Sequence, residues 1–182
     1  KDSFREDFDM DLRDKVRSIK DFPKEGIIFR DVTTIFKDPE AFHQLMDEMA
    51  ATLEGQKIDV VIGPEARGFT VASVLAYMLH AGFVPVRKPG KLPAETLSYS
   101  YDLEYGSDTI EIHKDAIRPG MKVAVVDDLL ATGGTAYAAC KLAEQLGGEV
   151  VAVRFAIELE GMGGREKLGD YDVKSVMMFA GD

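Results

Sequence analysis

Several absences narrow what this chain can be. It has one cysteine, Cys140, so no internal disulfide is possible. Cys140 lies in an alanine-rich helical pattern where a small buried hydrophobe is expected, and no histidine near it in sequence suggests thiol catalysis. The histidines, His43, His80 and His113, stand apart without partners at metal-ligand spacing, so no protein-ligated metal is read from them. Apolar runs such as Phe69 to Leu79 fall short of the roughly 20 residues a bilayer span needs. The first residues, "KDSFREDFDM", carry acids and lack the apolar core of a secretory signal. A cytoplasmic location with no membrane partner is the expectation. Basic residues are also in deficit: 22 Lys and Arg against 32 Asp and Glu give a net charge of −10, which argues against nucleic acid as a partner. A small anionic ligand stays open, because "VRKPGK" (Val86 to Lys91) gathers cations locally. There is no G-x-G-x-x-G fingerprint, no repeat and no low-complexity tract.

What is present is an ordinary globular composition, 46% hydrophobic and 30% charged over 182 residues, enough for one domain with a sizeable core. From Ile58 onward, strand-like and helix-like segments alternate. "IDVVIG" is a β-branched run, Phe69 to His80 has helical spacing, and "FVPVRK" is extended. "MKVAVVDDL" is a continuous apolar strand, "TAYAACKLAEQLG" a helix ended by Gly147-Gly148, and "EVVAVRFAIEL" another strand. Apolar strands separated by helices predict an α/β fold, a parallel sheet with both faces covered. The preamble differs: Asp11 to Lys20 reads as an amphipathic helix, "DFPKEGIIFRDVTTIF" as irregular or extended, and Pro39 to Leu53 as a helix. Lys88 to Ile117 reads as an insertion, a flap or β-hairpin. "YDVKSVMMFAGD" reads as a last strand and tail.

The segment "AVVDDLLATGGT" (Ala124 to Thr135) sits at a strand-to-helix junction, beyond which ligands bind in such sheets. Ala131, Thr132, Gly133, Gly134 and Thr135 can wrap a phosphate with backbone N–H groups, threonine hydroxyls and the positive end of the next helix. No Lys-Ser/Thr pair follows the glycines, so this is no Walker loop. Asp127 and Asp128 would repel a phosphate but accept hydrogen bonds from hydroxyls. A sugar phosphate meets both demands; a strand-end turn with capping acids is the structural alternative.

This stretch resembles the 5-phosphoribosyl 1-diphosphate motif of type I phosphoribosyltransferases, in wording close to the adenine phosphoribosyltransferases. "FPKEGIIFRDVTTIFKDP", "GPEARGF", "VRKPGKLP", "YDLEYG", "IHKDAI" and "GREKL" are similar to segments of that family in the same order, over about Asp21 to Leu168. The resemblance implies the type I fold: one domain over 1–182, with an N-terminal hood (about 1–35) and a flexible flap (about 88–117). It implies ribose binding by Asp127 and Asp128, and diphosphate binding by Ala66, Arg67, Arg87, Lys88 and Lys91. A cis peptide is implied at Ala66–Arg67, and Arg87 would serve the neighbour in a homodimer. Glu104 would be the acid/base group with Tyr105 covering the site; Ile28, Phe29, Arg30 and Leu159 would bind adenine. Mg²⁺ would arrive on the diphosphate. Taken alone, Arg67 and Glu104 read as surface residues, "RKPGK" as a solvated hairpin, and Phe29 and Leu159 as packing residues. Glu65 departs from the family's pattern.

The resulting expectation is transfer of the phosphoribosyl group to adenine, giving AMP and diphosphate. Rivals are a hypoxanthine, guanine or xanthine enzyme, whose family usually reads a 6-oxo group with a lysine and an acid near the later strand where this chain has "AIELEGMGGREKL", a difference that favours adenine, and a non-catalytic sensor of 5-phosphoribosyl 1-diphosphate. A sensor of that kind usually adds a DNA-binding domain, for which the chain has neither spare length nor an evident basic helix.

Overall fold

A computed structural model of the chain describes residues 10–103 and 105–181. They fall into two compact units whose boundary along the chain lies near residue 48, inside a helix.

In the first unit, a short 3₁₀ turn at Leu12–Lys15 is capped by Asp11, whose Oδ1 accepts the Arg13 N–H. The chain then extends as β1 (Arg17–Lys20), antiparallel to β2 (Ile28–Asp31). The amphipathic helix expected over Asp11 to Lys20 is therefore not formed. Leu12, Val16 and Ile19 have helical spacing, but only Leu12 is buried. The β1–β2 ladder, with Arg17 donating to Asp31 Oδ2 at 3.0 and 2.6 Å, outweighs the local preference. Thr33 and Arg17 hold the Asp31 carboxyl below its usual range, against the effect of burial. After a single turn α1 (Thr33–Phe36), the helix α2 (Pro39–Ala51) starts where Asp38 Oδ1 accepts the Glu40 and Ala41 N–H groups.

The second unit holds a five-stranded, all-parallel sheet of β3 (Val60–Pro64), β4 (Gly82–Val86), β7 (Lys122–Leu130), β8 (Glu149–Glu160) and β9 (Val173–Ala180), in the order β4-β3-β7-β8-β9. Helices α3 (Arg67–Met78), α4 (Gly134–Gln145) and the one-turn α5 (Gly164–Lys167) connect strands. The strands read as continuous apolar runs because the sheet is covered; β3 is buried at every position. Between β4 and β7 the expected insertion is an antiparallel hairpin, β5 (Thr96–Asp102) and β6 (Ser107–His113). Its Tyr101, Ile110 and Ile112 join the core formed by α4 and the sheet. Cys140 is fully buried within α4, and burial pushes its thiol up to about 12, as suits an inert packing residue.

An arginine is also buried in the sheet, between two core residues of β8 and so on its other face. Arg154 of β8 is 1% exposed, and its guanidinium donates to Thr52 Oγ1 and O, Val153 O, and Asp172 O and Oδ2. A buried cation is tolerable when its donors are occupied in this way.

The strand order reverses between β3 and β7: the chain runs from β3 outward to β4, returns through the hairpin to β7, and continues the other way to β8 and β9. The crevice beyond the carboxyl ends of strands at such a reversal is where open α/β sheets bind ligands.

Candidate active site

At the end of β7 the chain turns through Ala131 and Thr132 into α4, whose N-cap is Gly133 at φ 83°. A left-handed backbone at that point favours glycine. Asp127 and the turn 131–135 line an open cavity of about 110 Å³. Close packing fixes the turn from two sides. A Cβ on Gly133 would lie 3.0 Å from the Gly164 carbonyl oxygen, and one on Gly164 would collide with the Ala131 carbonyl. On the other side, a Cβ on Gly134 would lie 2.8 Å from the Tyr101 ring. The turn thus combines a free helix N-terminus with backbone that only glycines can bring so close, which suits an anion.

Asp128 is 4% exposed, and Arg67, at the start of α3, donates from Nε to its Oδ2 at 2.6 Å. Asp127 Oδ1 accepts the Asp128 N–H at 2.8 Å. Helix α3 approaches this carboxylate closely: a Cβ on Gly68 would sit 2.6 Å from Asp127 Oδ1. Burial, then the neighbouring Asp128 charge, holds the Asp127 carboxyl well above the usual range; the Asp128 N–H and the Arg67 charge offset this only in part.

Arg87 and Lys88 are tied to acids. Glu65 Oε1 accepts the Lys88 N–H at 2.6 Å and lies 3.3 Å from Arg87 Nε, while the Arg87 guanidinium stands 5.8 Å from the Phe69 ring centroid. Glu65 thus joins the loop after β3 to the end of β4. Lys88 Nζ pairs with Asp108 Oδ2, and Lys91 is exposed. That lysine hydrogen bond is the main reason the Asp108 carboxyl is held below its usual range.

The structure therefore brings Arg67, Asp127, Asp128 and the turn 131–135 together around the end of β7. The non-proline cis peptide lies at Glu65–Ala66, one bond earlier than the resemblance implied. Ala66 itself caps α3. Tyr105 stands at the hairpin tip, 84% exposed, and Glu104 lies outside the described residues. Ile28, Phe29 and Arg30 are neighbours on β2 of the first unit, where Phe29 packs edge-on to Phe22 at 5.3 Å and Arg30 Nη1 donates to Ser18 Oγ at 2.7 Å. Leu159 belongs to the second unit, near the end of β8 in register with Phe179.

Two features escaped the sequence reading. Tyr101 OH lies 3.0 Å from Thr135 Oγ1 and 3.3 Å from Asp108 Oδ2, linking the hairpin to the turn. Glu158, near the end of β8, is occupied by Arg165 and Ser175. Only the alternating pattern of β5 hinted that Tyr101 points inward.

Residues 32–179 match the family model described as the phosphoribosyl transferase domain. An adenine phosphoribosyltransferase of Alkaliphilus oremlandii is 56% identical over 170 residues, covering 93% of this chain and 99% of that protein. The chain belongs to the adenine phosphoribosyltransferase family. Among solved members of that family, the enzyme of Thermoanaerobacter pseudethanolicus superposes with a TM-score of 0.90 at 55% identity, covering 92% of this chain and 98% of that one. The Saccharomyces cerevisiae enzyme, solved with an imino-altritol bisphosphate and adenine, gives 0.85 at 43%, covering 91% and 96%. The expected α/β architecture is that of these phosphoribosyltransferases, and the chain is an enzyme of the pentosyltransferase class.

Proposed function

We propose that this enzyme serves purine salvage by transferring the 5-phosphoribosyl group of 5-phosphoribosyl 1-diphosphate to adenine, giving AMP and diphosphate. The observation that carries the reading is the acid pair joined to a glycine turn at the strand-order reversal, in a chain this similar to adenine phosphoribosyltransferases. The 5-phosphate occupies the turn Ala131, Thr132, Gly133, Gly134 and Thr135, and Asp127 and Asp128 accept the ribose hydroxyls. The bond from the anomeric carbon to the diphosphate oxygen breaks and one to adenine N9 forms, through an oxocarbenium-like state. Positioning and charge carry this chemistry, with no enzyme nucleophile. Arg67, Lys88, Lys91 and backbone at Ala66 receive the departing diphosphate, and Arg87 does so for the neighbouring subunit of a homodimer. Glu104 takes the N9 proton, and Tyr105 shields the site from water. Ile28, Phe29, Arg30 and Leu159 hold the base.

The Asp127 and Asp128 oxygens are hard donors that suit Mg²⁺, and no group of three metal-ligating side chains stands together among the described residues. A Mg²⁺ here would take most ligands from the diphosphate and water, and would neutralise the leaving group's charge. No helix among the described residues is long and apolar enough to cross a membrane.

The test is turnover. Purified protein with Mg²⁺, 5-phosphoribosyl 1-diphosphate and adenine should release AMP, and hypoxanthine or guanine should give little product. Tight binding of 5-phosphoribosyl 1-diphosphate without AMP would overturn the reading in favour of a sensor.

A further inference from the structure

Lys88 is held by a carboxylate that is itself built into the hairpin. Asp108 Oδ1 accepts the Thr109 N–H at 2.9 Å, while Oδ2 takes the Lys88 ammonium and the Tyr101 hydroxyl. Tyr101 is 8% exposed, its ring lies against Gly134 and its hydroxyl reaches Thr135. Apart from the lysine, Asp108 is thus held by two further partners, whereas the Lys88 side chain is 43% exposed on a flexible four-carbon stem. When a polyanion arrives, the lysine can turn toward it and the aspartate stays, leaving a fixed negative charge beside the incoming group. Coulomb's law gives that charge one sign of effect: it weakens the anion's hold.

We propose that Asp108 is a positioning residue: it keeps Lys88 as an internal ion pair in the ligand-free enzyme and limits how tightly diphosphate is retained, easing its departure after transfer. The inference rests on the proposed role of Lys88 at the diphosphate. Asp108→Asn keeps the shape and acceptor and removes the charge. Calorimetric titration of the full chain with inorganic diphosphate and Mg²⁺ should show about fivefold tighter binding in this variant, the range of one partly exposed charge interaction. KM for 5-phosphoribosyl 1-diphosphate should fall while kcat does not rise. In a Lys88→Met background the gain from Asp108→Asn should shrink to what direct repulsion supplies, since no lysine is left for the aspartate to hold. Glu95→Gln, which removes an exposed carboxylate paired with Lys114 next to the same hairpin, should leave diphosphate binding unchanged.

Unchanged or weaker diphosphate binding in Asp108→Asn overturns the proposal, as does an undiminished gain without Lys88 or an equal gain from Glu95→Gln. Asp108→Ser, checked by thermal melting, provides the same reading should the asparagine variant fold poorly. The titration does not depend on turnover, so a wild type that makes no AMP would sink the proposed function and leave the role of Asp108 separately measurable.

Discussion

Two adjacent strands of the same sheet end in acids treated in opposite ways. Toward the end of β8, Glu158 receives two hydrogen bonds from Arg165, at 2.8 and 2.6 Å, and one from Ser175 at 2.7 Å. Those partners, Arg165 first, hold its carboxyl below the usual range despite burial. At the end of β7, Asp127 receives one N–H, stands beside a second acid, and is held well above that range. An acid whose lone pairs are filled by the protein braces the fold. One left short of donors, next to a cavity and a like charge, has acceptor capacity for a ligand, and the fold bears a cost for keeping it ionised.

The comparison can be broken most sharply by removing both β7 acids. Replacing Asp127 and Asp128 with alanine should lower kcat/KM for 5-phosphoribosyl 1-diphosphate by about a hundredfold or more, as expected when charged contacts to a reacting sugar are lost. The melting temperature should not fall. A large loss of stability instead would make these acids structural, like Glu158. The reverse pattern should follow from Glu158→Ala, with a loss of about 2–3 kcal/mol in denaturant unfolding, because the variant loses a buried, multiply bonded carboxylate. Its activity, measured well below its own melting point, should survive within a few-fold. Such a result would also show that the β8 acid does not read the purine.

The smallest effect is one of pH. Asp127 binds its proton more tightly folded than unfolded, so its contribution to stability is fully present below the unfolded value of about 3.9 and is lost as pH rises through the folded value. Asp127→Asn should therefore raise the melting temperature at pH 7, and the gain should vanish near pH 4. Glu158 and Asp31 behave oppositely: their lowered values contribute stability above the unfolded range that is lost on acidification through the folded value. Melting curves of Glu158→Gln should accordingly show a shallower acid limb than wild type. A gain for Asp127→Asn that persisted at pH 4 would remove the electrostatic basis of the contrast.

The sequence disclosed those parts of the site that are local. The turn 131–135 and the acids before it are contiguous, and glycines, threonines and an apolar run carry their own conformational meaning. The parallel sheet was legible for the same reason, since buried strands between helical periods leave few arrangements. What stayed hidden depends on contacts far apart in the chain. Lys88 meets Asp108 across the hairpin, Arg67 meets Asp128 across two strands, and Tyr101 meets Thr135 34 positions away. Residues 11–20 were misread because helical spacing in ten residues is weak beside a partner strand that appears later in the chain. The cis bond fell one residue from where family likeness put it, since likeness fixes a loop more surely than a single peptide plane.

The backbone contact between Gly133 and Gly164 bears on the kinetics of binding. A turn wedged between the start of α5 and the Tyr101 ring has little room to reorganise. A turn held in place before a phosphate arrives would require almost no loss of chain entropy on capture. Association should then approach the rate of diffusional encounter at this end of the substrate, and slower events should belong to the hairpin tip around the exposed Tyr105. Phosphate would dock first, as an anchor, and the remainder of the substrate would settle against a point already held.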